Sequence, residues 1–468
     1  MLLTLLSAAL AQDPADPLAA MDWDAAREEL AQVLSGYLQV DTTNPPGNEV
    51  AGAQYLAGIL EREGIASEIW EYAPGRADLI ARLDSPIDAE PPLCLLSHID
   101  VVTVEPESWP AENQPFSGNI APDPDGEMAV WGRGALDMKG MGAIELMTLV
   151  WLKRLDLPLS RDVVLLAVAD EEVDNEGAQA LVRERWGEIG CSHVINEGGM
   201  GVEDLLFEGQ TAYAISVGEK GVLWLRMVAS GSPGHGSVPK PDEAPERLRL
   251  AVNAVVEMEP DPRIDPSILE LLSAVGAQRS GLERLVLTNP GLAQRFVLPK
   301  LMANPVTRAA ITDTAHLTGF SGALSPNVLP SEAVAYLDCR LLPGTTDVEM
   351  IERLSAAVND PQVRFEVLSY YPAAVSVYEG DPFFDALVHQ TRLADPEAVV
   401  GPALSVGFTD SIFLRGVGVR AYGLVHMRAS LSEMATMHGD AERVPVAELE
   451  RGLRVLLGAT VEAASKTR

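Results

Sequence analysis

Apolar and polar positions along the chain follow two periods that exchange places. From 24 to 38, Leu30, Val33, Leu34, Tyr37 and Leu38 recur on one face of a helix. Thr42-Thr43-Asn44-Pro45-Pro46-Gly47 interrupts that pattern, and a second helical stretch covers 49–64. Short strands are predicted at 67–72 and 78–83. Leu93-Cys94-Leu95-Leu96 then reads as a strand buried on both faces. Residues 105–126, rich in Pro, Asn and Asp, read as a loop, followed by a strand at 128–131 and a helix at 138–155. Apolar runs at 163–169 and around 193–195 predict two more strands. Strand and helix alternate through Glu197, the pattern of an α/β domain.

The pattern changes near residue 210. Residues 212–217 and 222–229 alternate as half-exposed strands, with Gly218-Glu219-Lys220-Gly221 as the hairpin turn between them. A helix follows at 243–258, then an irregular helical stretch at 260–315, then strands at 330–340 and 363–368. From Asp381 a helix resumes the α/β pattern, 400–438 is read as loops, and 445–464 as a closing helix. The expected class is α/β: a three-layer catalytic domain with a mixed, mostly parallel sheet, plus an inserted α+β lid. The expected segments are a leader and tail at 1–20, a catalytic domain at 21–210 and 373–468, and the lid at 211–372. A length of 468 residues, more than one core usually fills, agrees with two domains.

Composition narrows the class further. A net charge of −34 repels nucleic acid phosphates and excludes a basic membrane-surface patch. The N-terminal apolar stretch ends in Ala9-Leu10-Ala11, which fits a small-x-small cleavage site, although no Lys or Arg precedes it. It is too short to span a bilayer and no other window is apolar enough, so no stable membrane anchor is expected. The leader predicts a secreted or periplasmic protein; without it the protein would be cytoplasmic. Cys94, Cys191 and Cys339 each lie in or beside an apolar run and read as buried free thiols, since an odd count gives no disulfide framework.

The chemistry gathers at the ends of the apolar runs. Leu93–Leu96 leads into Ser97-His98-Ile99-Asp100, with His98 and Asp100 on one side of the strand. Gly134-Ala135-Leu136-Asp137-Met138-Lys139-Gly140 follows, then Asp170-Glu171-Glu172 and Asn196-Glu197-Gly198-Gly199. Singly these are ordinary: a satisfied polar pair, a helix N-cap, solvated glutamates. Together, acids at neighbouring strand ends without matching Lys or Arg would repel one another unless a cation sits among them. A His with a carboxylate two residues on suits a metal ligand whose second ring N–H is held, here by Asp100.

With Gly132-Arg133 and a late His438-Gly439, these motifs resemble those of the M20 metallopeptidases, the carboxypeptidase, aminoacylase and dipeptidase clan of co-catalytic zinc hydrolases. The resemblance runs from about residue 22 onward. Ser325-Pro326-Asn327-Val328-Leu329-Pro330 and Gly407-Phe408-Thr409-Asp410-Ser411 are most similar to the branch holding yeast-type carboxypeptidase S and secreted N-fatty-acyl-amino-acid hydrolases. It implies two zinc ions per chain, with cobalt or manganese as poorer substitutes. Asp137 would bridge them, with His98 and Glu197 on one ion and Glu172 and His438 on the other. It implies a cis Asp137–Met138 peptide and Glu171 as general base. His235, in Gly234-His235-Gly236-Ser237 of the lid, would donate to the oxyanion, often from a neighbouring subunit, which invites a homodimer through the lid. Arg340 would pair with a substrate carboxylate, with Asn327 and Thr409 in the same pocket. His193, His316, His389 and His426 have no motif and read as structural.

The substrate expected is therefore an N-acyl amino acid or short peptide with a free carboxylate. A dipeptidase or aminopeptidase would also need an acidic group to hold the substrate amine, and no motif settles that. A non-catalytic binding module would be expected to have lost the base or a ligand; all are present.

Overall fold

A computed structural model describes residues 17–464 apart from residues 88, 205–206 and 324. The cleavage site assigned to the leader lies outside the described residues.

The main lobe is built on a nine-stranded mixed sheet. Its central strands, Val163–Val168, Leu93–His98, His193–Glu203 and Arg420–Ala429, run parallel to one another. Ser67–Ala73 and Arg76–Leu83 extend one side as an antiparallel pair. The four-residue apolar run in the His98 strand has a direct cause. Leu93 and Leu95 pack on one face against the helices Trp23–Leu38, Lys139–Leu155 and Val446–Ala464, while Cys94 and Leu96 face the helix Glu176–Glu184 on the other. Helix, sheet and helix thus form three layers, and parallel strands covered on both faces carry apolar residues at every position.

A small antiparallel sheet of Asn119–Pro122, Met128–Trp131 and Arg443–Pro445 matters more than its size suggests. It pairs Arg443 with Trp131, so residues just after His438 lie beside those just before Asp137.

The lid is a four-stranded antiparallel sheet in the order Thr314–Ser321, Glu332–Leu341, Gly221–Ser230, Val363–Tyr371. The helices Ala244–Val256 and Asp347–Val358 cover it, and Leu223, Leu225, Leu248, Leu337 and Leu354 form a core of its own.

Four expectations change. Residues 211–219 do not form a lid hairpin with 221–230. Thr211–Glu219 pairs with Val399–Ser405 and His193–Glu203 in the main sheet. The Gly218–Gly221 motif is the crossing between lobes, which explains two buried charges there. Glu219 pairs with Arg415, and Lys220 Nζ donates to the carbonyls of Ala309 (3.0 Å) and Thr312 (2.8 Å). The helices within Pro266–Ile311 pack on the main lobe, with Leu271, Leu272, Val275, Leu301 and Ile311 clustered with Val399, and residues from 314 supply a lid edge strand. Residues 400–438, read as loops, contain the strand Arg420–Ala429; its Gly423 and polar flanks mask the strand pattern. Lastly, Cys94 and Cys191 form a disulfide, with Cα atoms 5.9 Å apart. Leu93 lies opposite His193 in the parallel pair, which brings the two cysteines within reach, and the odd count only leaves Cys339 free and buried.

Candidate metal centre

Five chain segments meet at one place beyond the sheet. The Leu93–His98 strand delivers His98 and Asp100, the Val163–Val168 strand leads to Glu171 and Glu172, and the His193–Glu203 strand carries Glu197. Asp137 sits in the turn before the helix Lys139–Leu155, and His438 on the loop before Arg443–Pro445. The carboxyl ends of parallel strands are where α/β sheets gather ligands.

The ligating atoms fall into two groups, His98, Asp137 and Glu197, and Asp137, Glu172 and His438, each with its atoms within 4.8 Å of one another. Asp137 belongs to both. Its Oδ1 lies 3.2 Å from His98 Nε2, and its Oδ2 lies 3.0 Å from His438 Nε2. Glu197 Oε1 is 4.0 Å from His98 Nε2, and Glu172 Oε2 is 3.3 Å from His438 Nε2. The Asp137–Met138 peptide is cis, and His438 has a positive φ of 56°.

The donor set fits divalent cations of borderline softness. Each group offers one imidazole nitrogen and carboxylate oxygens, and a single carboxylate presents one oxygen to each group. Glu172 Oε1 is buried with no hydrogen-bond partner. No Lys or Arg among the described residues pairs with Asp100, Asp137, Glu171, Glu172 or Glu197. Burial and the charge of Glu197 raise the Glu171 pKa well above the usual carboxylate range; burial and Asp137 do the same to Glu197. Burial alone would lower the His98 pKa, but its bonds to Asp100 and Asp137 and the charges of Glu171 and Glu197 raise it. Hydrogen bonds to Asp137 and Glu172 raise His438 to about 10. Without cations, protons would have to supply the missing positive charge.

Asp100 does more than its position two residues after His98 suggests. His98 Nδ1 lies 3.0 Å from the Asp100 backbone carbonyl and 3.5 Å from its carboxylate, so the carbonyl is the nearer acceptor. The carboxylate accepts the backbone N–H groups of Glu171 (3.1 Å) and Glu172 (3.2 Å). One buried acid therefore couples the His98 strand end to the turn bearing both glutamates. The Glu171 carboxylate itself makes no hydrogen bond or ion pair among the described residues, although it lies close enough to His98 and Glu197 for their charges to act on it.

Two supporting residues escape the sequence reading. Glu442 is fully buried and accepts the N–H groups of Gly134 (3.0 Å), Leu136 (2.8 Å) and Asp137 (3.1 Å), and Arg133 Nη1 at 2.6 Å. It fixes the turn that aims Asp137. That turn also needs Gly134, whose φ is +89°, and Gly140, where a Cβ would lie 2.1 Å from the Ala135 carbonyl oxygen. Asn44 donates to Asp100 and Asp170, each at 2.8 Å, and Arg76 Nη2 reaches Asp170 at 2.5 Å. In sequence Glu442 is one acid in a polar loop and Asn44 a turn residue before two prolines. The one available signal was their closeness to His438 and to the helix break.

The remaining candidates lie apart from the two ligand groups. His235 is exposed on the lid in a two-residue strand, Gly234–His235, paired with Val328–Leu329, and the Gly236 N–H donates to the Asn327 carbonyl at 2.8 Å. His235 and Asn327 are thus neighbours. His235 Nδ1 accepts from the Ser237 N–H at 3.2 Å, which leaves Nε2 as the donor, and no bond ties it to the metal groups within this chain. Arg340 is opposite Val222, at the lobe-crossing end of its strand, and its Nε and Nη2 grip Asp338 at 2.8 and 3.0 Å, leaving Nη1 without a partner among the described residues. Thr409 is buried. Its N–H donates to Glu219 at 2.6 Å, and its hydroxyl accepts the Ser411 N–H at 3.2 Å, so it is turned inward.

His193 bonds Asp381 at 2.9 Å and His389 bonds Glu462 at 2.9 Å; His426 is buried, and burial lowers its pKa to about 3.

Sheet, lid and paired ligand groups define a class of metal-dependent hydrolase, and comparison with known proteins identifies it. Peptidase family M20/M25/M40 matches residues 94–462, and the chain belongs to that family. The N-fatty-acyl-amino acid synthase/hydrolase PM20D1 of Homo sapiens is 29% identical over 376 residues, which cover 78% of this chain and 72% of that protein. The probable carboxypeptidase S-like 2 of Dictyostelium discoideum is 27% identical over 364 residues, covering 76% and 68%. The M20 family metallo-carboxypeptidase Sso-CP2 from Sulfolobus solfataricus shares the fold with a TM-score of 0.68 at 18% identity, over 95% of this chain and 99% of that one. No helix among the described residues is long and apolar enough to cross a membrane.

Proposed function

We propose that this chain is a two-zinc amidohydrolase of N-acyl amino acids, with short peptides bearing a free C-terminal carboxylate as the wider substrate class. The observation that carries the reading is the sharing of Asp137 between two ligand groups, beside a Glu171 carboxylate that has no partner among the described residues. His98 and Glu197 would hold one ion, Glu172 and His438 the other, and Asp137 both. When bound, the pair supplies Lewis acidity, making water a nucleophile near neutral pH and stabilising charge on the amide oxygen.

The protein groups do the rest. Glu171 takes a proton from the attacking water and delivers it to the departing amine nitrogen. Its carboxylate, which makes no hydrogen bond or ion pair among the described residues, is available for both halves of that task. Asp100 holds the Glu171 and Glu172 backbone, so the base and a ligand keep their spacing. His235, with Nε2–H free, is the donor proposed for the amide oxygen, supplied by a partner lid in a homodimer. Arg340, braced by Asp338, reads the substrate carboxylate through Nη1, with Asn327 and Thr409 as supporting residues of that pocket. The Cys94–Cys191 disulfide supports a secreted or periplasmic location, since such bonds persist in oxidising compartments.

The test is hydrolysis of N-acyl amino acids, their carboxyl-capped amides and dipeptides by purified protein, before and after chelation. Free-carboxylate N-acyl substrates should turn over best, with activity lost on chelation and restored by zinc. Equal rates on capped and free substrates would contradict the carboxylate-reading role; preference for dipeptides would favour the peptidase alternative.

A further inference from the structure

A cavity of about 450 Å³ opens beside Glu197, within the roughly 300–1,000 Å³ range of small-molecule sites. Its floor is the sheet around Met200, Ala214 and Ala403, and its far wall is the segment Pro266–Ile311. Met437, the residue before His438, lines the near end together with Glu197. The ligand group that contains Glu197 therefore borders the hollow, and the chain reaches His438 directly after lining it. Among the described residues that line it, Glu197 is the one charged side chain, and the rest is almost wholly apolar. The hydroxyls of Thr307 and Ser405 are already engaged, Thr307 donating to the Leu301 carbonyl and Ser405 accepting the Gly407 N–H.

The lining decides which half of a substrate can enter. A substrate carboxylate finds no cation here, and a peptide's N-terminal ammonium finds no acid other than Glu197, which is committed to metal. Either charge would be desolvated without a partner. An uncharged hydrocarbon chain meets neither cost and gains by leaving water. The lid, by contrast, presents Arg340. We infer that this groove is the acyl-chain subsite, that it selects long aliphatic N-acyl groups, and that Pro266–Ile311 sets the chain length accepted. The inference rests on the preceding reading that the substrate is an N-acyl amino acid.

The helical segment is built for such a role. Leu271, Leu272, Val275, Leu287 and Leu301 anchor it, and Lys220 holds the carbonyls at its end. Ala310 and Val306, on the last helix, face the hollow without belonging to the buried part of that anchor; Val306 is 60% exposed.

The test is kcat/KM along a series of N-acyl derivatives of one amino acid, from acetyl to palmitoyl, with palmitate binding by calorimetry as an independent readout. In the wild type each added methylene should raise kcat/KM about fourfold until the groove is filled. Ala310→Phe fills the hollow, and Val306→Asp places a charge at its exposed mouth with little risk to folding. Each should lose at least about thirtyfold more on the palmitoyl than on the acetyl substrate, the equivalent of two or three buried methylenes. Ala310→Phe should also abolish palmitate binding. A flat wild-type profile would overturn the inference, as would a steep one that neither variant changes. If dipeptides alone were hydrolysed but palmitate bound and Ala310→Phe abolished it, the groove would stand as a chain-binding site and the substrate reading would fall.

Discussion

The metal centre and the groove beside it share Glu197 and little else. At the centre, the frame around the ligands is held by polar groups from distant segments: Asp100 by Asn44 and by the N–H groups of Glu171 and Glu172, the Asp137 turn by Glu442. At the groove, short helices hold one another mainly by apolar packing, and the side-chain hydrogen bonds of the lining, such as Thr307 to the Leu301 carbonyl, stay within one segment. A polar network is directional, so a small displacement leaves a buried group unsatisfied. Apolar packing depends on volume and tolerates substitutions that preserve it. On the proposed reading, the fold separates a chemistry that must not move from a selectivity that can be changed in small steps.

That contrast can be broken most forcefully at the base. Glu171→Gln should lower kcat by about 10²–10⁴ on every acyl length, with metal content unchanged, because it removes the proton carrier and no ligand. A loss confined to long chains would dissolve the distinction between the two regions.

Next in size is the disulfide, which ties the His98 strand to the turn just ahead of the Glu197 strand. Cys94→Ser with Cys191→Ser should cost about 2–5 kcal/mol of stability by denaturant titration. The ratio of long-chain to acetyl activity should be retained, since the groove helices lie elsewhere.

Arg340→Ala should lose at least about 30-fold in kcat/KM on free-carboxylate substrates, the equivalent of about 2 kcal/mol, and far less on their capped amides. Lysine should restore only part of it, because an ammonium lacks the fork.

The smallest effect expected is a pH slope in the metal-free protein. His438 is raised from 6.5 to about 10 by Asp137 and Glu172, and Glu171 and Glu197 are raised by burial and neighbouring acids. Groups with raised folded pKa values contribute stability that is full below their unfolded pKa and lost as pH rises through the folded one. The Tm of the stripped protein should therefore fall as pH rises from about 6.5 to about 10. With metal bound the ligands hold no such protons, and that slope should vanish. A stripped protein with a flat Tm over that window would show that the cluster does not depend on protons for its missing charge.

The same contrast explains what could be read from the sequence. The α/β alternation, the lid and the strand-end acids were legible because each is written in a short local pattern: a run such as Leu93–Leu96 followed at once by His98 and Asp100. The support around them was not. Glu442 reaches Asp137 only because Arg443–Pro445 pairs with Met128–Trp131, a contact between distant segments that no periodicity records. Gly218–Gly221 has the composition of a hairpin turn, yet it serves as the lobe crossing, since what distinguishes the two is where Lys220 and Glu219 find partners. The helices of Pro266–Ile311 were legible as helical, but their seat on Val399–Ser405 is a packing of distant segments that no local pattern records. The cysteine pair was missed for a similar reason: Cys94 and Cys191 are 97 residues apart and meet only through the register of two parallel strands.

Counting zinc ions per chain, in the wild type and in His438→Ala, tests the shared-carboxylate centre most directly. Asp137 presents one oxygen to each ligand group, so the wild type should carry two ions per chain. His438→Ala should retain one, held by His98, Asp137 and Glu197. A wild type that binds a single ion at saturating zinc, or a His438→Ala protein that still binds two, would contradict it.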